Sequence, residues 1–546
     1  MRKRFLTMLS LVLVVILSTF AFTACGIRED NWRDGAWRGY PRNSDMIIVS
    51  PRSLGGYRGG LGHFGNPNTA EGTIPLGISF YLSRSELPAQ YRNREQLGNL
   101  DVCPLNSAAL QIPWVDEMIR EMRQVITDIN NIMSAGFNDS WSMVNQINRA
   151  GTNPVTITGT NYYLFDILDL ARGVYLTSGG LFNPAILPLV DIWLLSPRFI
   201  PIEGTFAWTN QLRHGIPGIP LGYSDPVRTN NQGNRISNEF PLLENQGQGA
   251  TPTRKRPPAA SWINTILRDD LMPIGNGNYA NRISFAEVFT WDRNARTVTK
   301  LHPRAQLDLG GVAKGYAGYL IHNIARTVVR GDGGVGINAV IDLSGDIYTL
   351  GTDILEGRNW VTGIANQHFP QLAAEYIIEV VSASNAVFTS GVSERNFIYE
   401  GRMYHHKIDP RTGMPSTNGI VSTTIIGPNA AYADALATAV FLKGDVEGPR
   451  WLRQHYPQYR AIIVTSDMRL IVSHNDISFR FGNNAVRQAF TLVDAALHPF
   501  AIAAIVAGSV IVVTGATIFV VLHIRKRRAA AQYAYDEGDD IDEEEF

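Results

Sequence analysis

Met403 to Phe441 reads MYHHKIDPRTGMPSTNGIVSTTIIGPNAAYADALATAVF, and this stretch decides more about the fold than any other. His405 and His406 run into Asp409-Pro410-Arg411-Thr412-Gly413. Proline presets one turn angle and glycine supplies the left-handed one, so the run predicts a rigid turn that fixes its neighbours. A β-branched strand follows over Ile420 to Ile426, and then a helix over Ala430 to Leu442. On that helix Asp434 and Thr438 are four apart and share a face. A carboxylate and a hydroxyl on adjacent turns form an oxygen-only pair, which suits Mg2+ better than zinc. The same spacing also describes an ordinary polar helix face, and paired histidines before a turn can be purely structural. The flanking Ala, Leu, Val and Phe favour burial, where a carboxylate needs a partner.

A second block lies upstream. Leu307-Asp308-Leu309-Gly310-Gly311-Val312-Ala313-Lys314-Gly315-Tyr316-Ala317 follows a predicted strand at Thr297 to Leu301 and opens a helix reaching about Val329. Glycines at such a junction let the backbone approach a ligand, and a helix N-terminus favours an anion. Lys314 can add a point charge for a phosphate. The block lacks the Lys-Ser or Lys-Thr ending of a Walker A loop. Gly331 to Gly336 matches G-x-G-x-x-G, but a helix precedes it and a strand, Asn338 to Leu343, follows it. That order is the reverse of the dinucleotide fingerprint, so the segment reads as a helix-to-strand loop.

Together these blocks resemble the ApbE family of FAD:protein FMN transferases. The motifs that carry the resemblance are LDLGGVAKGYA, IDLSGDIYTLG, FTSGVSERNF, HHKIDPRTGMP and ADALATAVFLKG, in the family's order. MSAGFNDSWSMVNQIN, the helix after Asn161 and LTSGGLFNPAILPLVDIW extend it more diffusely, so that it covers about Trp114 to Ile477. The resemblance implies an α+β, T-fold-like architecture of two subdomains. The alternation of short helices with β-branched strands, Arg460 to Thr465 among them, independently suggests α+β.

The resemblance also implies a chemistry: an acceptor Thr or Ser hydroxyl attacks the FMN-side phosphorus of FAD, and AMP leaves. Carried over by matching position, Asp308 and Lys314 contact FAD. The Gly311 carbonyl joins Asp434 and Thr438 around Mg2+, with Ala437 adding backbone. His406 corresponds to the proposed base, and an imidazole with a pKa near about 6.5 suits proton removal at neutral pH. Ile408 and Leu181-Phe182-Asn183 line the flavin site. The sequence departs from the family at Asn183, where Asp is usual, and at Ser344, where Gly is usual. A common aromatic is missing at Gly136, although Phe137 is adjacent, and Glu71-Gly72-Thr73 matches the family's Met-Gly-Thr only in part. Two other readings remain open, an FAD pyrophosphatase giving FMN and AMP, and a non-catalytic flavin-binding lipoprotein.

The rest of the chain predicts export and membrane attachment. It has 546 residues and a formal net charge of -1, which points to no nucleic-acid partner. Arg2, Lys3 and Arg4 precede an apolar run from Phe5 to Phe22, as in a signal peptide over 1–24. Phe22-Thr23-Ala24-Cys25-Gly26 resembles a bacterial lipobox, with Phe22 where Leu is usual, and suits lipidation of Cys25; the alternative is an ordinary signal peptide with a chance cysteine. Cys103 is the only other cysteine. Residues 25–100 form a tether and the start of the body, and 101–485 the ApbE-like domain. In that domain Val115, Met118, Ile119, Met122, Val125, Ile126 and Ile129 fall at helical spacing over Trp114 to Met133. A second helix, Tyr162 to Leu176, has Asn161 as its expected cap. Residues 196 to about 260 read as a surface insertion.

Residues 499–524 contain a charge-free run, Phe500 to Leu522, long enough to span a bilayer. Arg525, Lys526, Arg527 and Arg528 place the tail 525–546 in the cytoplasm by the positive-inside rule. The expected location is thus the cell membrane, with the catalytic domain outside, where partners are FAD and extracytoplasmic redox proteins carrying a flavinylation motif. Thr514-Gly515-Ala516-Thr517 has the core of such a motif but lies in the predicted span, and reads as helix-packing small residues.

Overall fold

The computed structural model describes residues 46–57, 74–83, 102–103, 112–133, 142–193 and, but for three positions, 285–495, with scattered residues near 257–267 and 521–525. The signal peptide, Cys25, most of the tether, nearly all of the 196–260 insertion, Gly136 and Phe137, Glu71-Gly72-Thr73, and almost all of 499–546 lie outside the described residues. Among the described residues no helix is long and apolar enough to cross a membrane.

Helices and strands mix along the chain around a largely antiparallel main sheet, which gives an α+β body. Ten strands form one sheet in the spatial order Thr491–Asp494, Arg469–Val472, Arg460–Thr465, Ile420–Gly427, Ala386–Gly391, Ile347–Leu350, Ala339–Asp342, Ile74–Ser83, Met46–Tyr57, Val102–Cys103. From Arg469–Val472 to Met46–Tyr57 every neighbour pairs antiparallel. Ile420–Gly427 is central, and nearly all of it is buried, which is why a β-branched run occupies it.

Two helices crossing beside this sheet position the site. Gly310–Thr327 starts at the Asp308-Leu309-Gly310 junction, where Asp308 Oδ1 accepts from the Gly310 N–H at 2.8 Å. Ala430–His455 is capped by Asn429, whose side chain accepts from Ala431 and Tyr432 N–H, and packs on Ile420–Gly427 and Ala386–Gly391. The two helices touch at glycines. A Cβ on Gly315 would lie 2.3 Å from the Ala430 carbonyl oxygen, so only glycine allows this approach. The Gly310 helix also packs against Pro113–Met133, whose expected stripe from Val115 to Ile129 is buried throughout.

One local expectation is corrected. Asn161 does not cap the helix Tyr163–Ser178; it sits in a 3-10 turn, Gly159–Tyr162, that feeds the helix directly, and no side chain caps it. The helix read as ending at Leu442 does break there: Gly444, with φ 93° and ψ 175°, is non-helical, and a second helical segment follows it to His455. Glycine's freedom at positive φ permits this kink between the two segments.

Candidate active site

The turn after the paired histidines is built as its residues dictate. Gly413 N–H donates 2.8 Å to the Asp409 carbonyl, and Gly413 takes a left-handed φ of 66°. Trp193 Nε1 donates 2.7 Å to the Gly413 carbonyl and its ring stacks on Tyr404, so the LVDIW helix clamps the turn. The result fixes the histidines that precede it.

The two imidazoles are not equivalent. His405 Nε2 donates 3.0 Å to the Ser416 carbonyl, and its Nδ1 accepts from the Lys407 N–H. Both nitrogens are spent on backbone, and burial above all pushes its pKa down to about 4. His406 Nδ1 lies 3.2 Å from the Arg395 carbonyl, and a carbonyl can only accept, so Nδ1 carries the hydrogen. Nε2 therefore holds the lone pair, and it is buried without a partner. Burial, with the nearby Arg395 and Lys407 charges, holds His406 well below the ordinary 6.5, so it stays neutral. A neutral imidazole with an unused lone pair is ready to take a proton.

His406 opens on a cleft of about 620 Å³, its solvent-open mouth included. Its walls bring together Leu181, Phe182 and Asn183, Asp308 and Gly311, Ile408 and Thr438, all expected from sequence. At Asn183 the Oδ1 atom accepts from the Ala185 N–H at 2.9 Å, which fixes the amide orientation. Its Nδ2 is left buried and unpartnered. The usual Asp would carry an acceptor there, so this chain offers a donor instead.

Asp434 lies beneath this region, buried, with Oδ2 accepting from the Gly315 N–H at 2.9 Å. Burial pushes its carboxyl up to about 7, against the pull of the Lys314 charge. Thr438, one turn on, shares a 3.1 Å hydrogen bond with Ser390. Gly311 is close by, since a Cβ on it would lie 3.8 Å from Thr438 Oγ1 and 3.2 Å from the Phe182 ring. An ionised buried carboxylate, a hydroxyl and a helix-start carbonyl are the donors a hard cation takes, so these residues fit Mg2+.

Some expectations are redirected. Lys314, read as a phosphate contact, is buried in an ion pair with Asp346 and does not line the cleft. Its charge is thus spent on the LSGD turn, to which Asp346 belongs. Ala437 is buried and does not line the cleft either. Sequence reasoning missed Arg395, Lys407, Pro184, Ile186, Val190 and Leu442 on the walls, and Asp346 beneath them. Every one of them lies inside a quoted motif, so its position in the chain was visible and its direction was not. Ser344, the other departure, has a left-handed φ of 62°. That conformation explains why glycine is usual there.

Comparison with known proteins gives the family. The ApbE family model matches residues 104–213 and 250–463, well over half of the chain. The FAD:protein FMN transferase of Treponema pallidum is 33% identical over 184 residues, 32% of this chain and 48% of that protein. The Vibrio cholerae protein of the same name is 28% identical over 247 residues, 45% of this chain and 70% of its own length. The chain thus spans about half the length of the treponemal relative. The solved flavin transferase ApbE of Vibrio cholerae covers 82% of this chain at 16% identity with a TM-score of 0.47. With that family match over segments that converge on one cleft, this chain belongs to the ApbE family.

Proposed function

We propose that the protein is an FAD:protein FMN transferase that moves FMN from FAD to a Thr or Ser hydroxyl of an extracytoplasmic acceptor, with release of AMP. The observation that carries this reading is the unpartnered His406 Nε2 on the same cleft wall system as Thr438 and Gly311. The names of the relatives support it.

In this reading Leu181, Phe182 and Ile408 offer apolar surface to the flavin ring, and Asn183 Nδ2 donates to one of its acceptors. His406 Nε2 accepts the proton of the acceptor hydroxyl as its oxygen bonds to the FMN-side phosphorus. The bond from that phosphorus to the bridging oxygen breaks, and AMP leaves with that oxygen. Asp434, Thr438 and the Gly311 carbonyl would hold Mg2+, which neutralises charge growing on the phosphoryl oxygens. Arg395, on the same wall, supplies further positive charge.

The T-fold-like, two-subdomain division, the lipid on Cys25, the span within 499–524 and an outward-facing body belong to the same proposal. The first rests on the family resemblance of the motifs, and the others on the sequence patterns of the two ends.

The test is to incubate the purified body with FAD, Mg2+ and candidate acceptors. Flavin fluorescence on the acceptor after denaturing electrophoresis is the expected result. AMP with free FMN would make the protein a pyrophosphatase, and unchanged FAD with tight binding would make it a flavin carrier.

A further inference from the structure

Lys407 stands between His406 and Ile408 and has no role in the chemistry above. Its Nζ donates 3.0 Å to Ser390 Oγ, and Ser390 Oγ is 3.1 Å from Thr438 Oγ1. One hydroxyl therefore separates an ammonium from the hydroxyl assigned to the cation. Lys407 and Thr438 also line the same cleft. The Lys314 and Lys407 charges both act on Asp434, while Asp346 opposes them and is itself paired with Lys314. His406 is neutral, and Arg395 adds another positive charge to the wall. The cation site is thus already attended by a fixed ammonium.

We propose that Lys407 is a resident counter-charge at the cation site, which disfavours free Mg2+ and couples its entry to that of an anionic pyrophosphate. The inference rests on the FMN transferase reading for the identity of that pyrophosphate. Before the nucleotide arrives, Lys407 and a divalent cation compete for the same carboxylate and repel each other. When it arrives, its negative oxygens are attracted to both, and the repulsion is offset. The site then takes metal and nucleotide together and holds neither firmly alone. A single and a double charge on either side of one hydroxyl would repel enough, even at the dielectric of water, for about a tenfold change in affinity.

The experiment is a Mn2+ titration of the protein without nucleotide, followed by electron paramagnetic resonance, and an FAD titration in EDTA, followed by flavin fluorescence. Lys407→Met removes the charge, Lys407→Gln removes it while keeping a donor for Ser390, and Lys407→Arg keeps it. Expected results are about tenfold tighter Mn2+ binding and about tenfold weaker FAD binding in the Met and Gln variants, with Arg close to wild type. If Met destabilises the fold, the Gln variant carries the test. Unchanged or weaker Mn2+ binding in a folded Gln variant would overturn the proposal and leave the transferase reading standing. Tighter Mn2+ binding in a protein that binds no FAD would sustain the counter-charge and overturn the transferase reading instead.

Discussion

The backbone N–H of Gly315 donates 2.9 Å to Oδ2 of Asp434, joining two helices at the point where their backbones come closest. The glycine is needed twice over. It lets the helices meet, and it presents an amide to the carboxylate that the site depends on. Gly315→Ala would place a methyl 2.3 Å from the Ala430 carbonyl oxygen and 2.6 Å from Asp434 Cβ. Overpacking of this kind costs about 1–3 kcal/mol. A lower urea midpoint, with Mg2+ stimulation of turnover lost beyond what the stability change explains, is the expected outcome. A variant as stable and active as wild type would mean the helices separate at no cost.

The two histidines should separate in their effects. His406→Ala should lower turnover by about 10²–10⁴-fold, the usual worth of a general base, and regain some rate as pH rises. His405→Ala should act mainly on stability, since it breaks hydrogen bonds to Ser416 and Lys407 backbone. Comparing kcat with melting temperature in both variants decides it. Equal losses of kcat at equal stability would contradict the division of roles.

Asp434→Ala should abolish Mg2+-dependent turnover more completely than His406→Ala, because it removes the fixed negative charge of the proposed cation site, buried one turn from Thr438. Thr438→Ala should be milder, as it removes a neutral oxygen, and added Mg2+ should partly rescue it. Initial rates across a Mg2+ series give the ranking. Near-normal activity of Asp434→Ala at low Mg2+ would place the cation elsewhere.

Stability without metal should fall with pH because of Asp434. Its carboxyl is raised from 3.8 to about 7, chiefly by burial. The folded state therefore holds this proton more tightly than the unfolded chain does. The resulting stabilisation is full below about pH 3.8 and is lost as pH rises through about 7. A cation replaces the proton, so the gain in melting temperature on adding Mg2+ should be larger at pH 8 than at pH 6. Asp434→Asn should remove that difference. Thermal melts in EDTA and in Mg2+ measure it.

His322 acts in the opposite direction. Its ring stacks on Tyr348 at 3.9 Å, and neither ring nitrogen has a partner. Burial, then the Arg326 charge, push its pKa down to about 4. Its contribution is present above about pH 6.5 and is lost as pH falls through about 4. His322→Phe should stabilise the protein more at pH 5 than at pH 8. A gain of equal size at both would leave the titration without a role.

The sequence by itself determined the family, the order of its motifs, the main helices and strands, and the glycines at the turns. These features are local: a 3.6-residue stripe such as Val115 to Ile129, a β-branched run such as Ile420 to Ile426, or a Pro-Arg-Thr-Gly turn carries its own geometry. It also placed Asp308, Gly311, His406, Ile408, Thr438 and Leu181 to Asn183 in one functional group, and the fold gathers them on one cleft. Only the tertiary structure decided which imidazole keeps a free lone pair, because that depends on which carbonyls, Ser416 or Arg395, face each ring. It alone gave Lys314 to Asp346 and brought Lys407 to Ser390 beside Thr438. Charges pair by distance in space, and the spacing of residues along a chain does not encode that distance once helices cross and strands from distant segments pair.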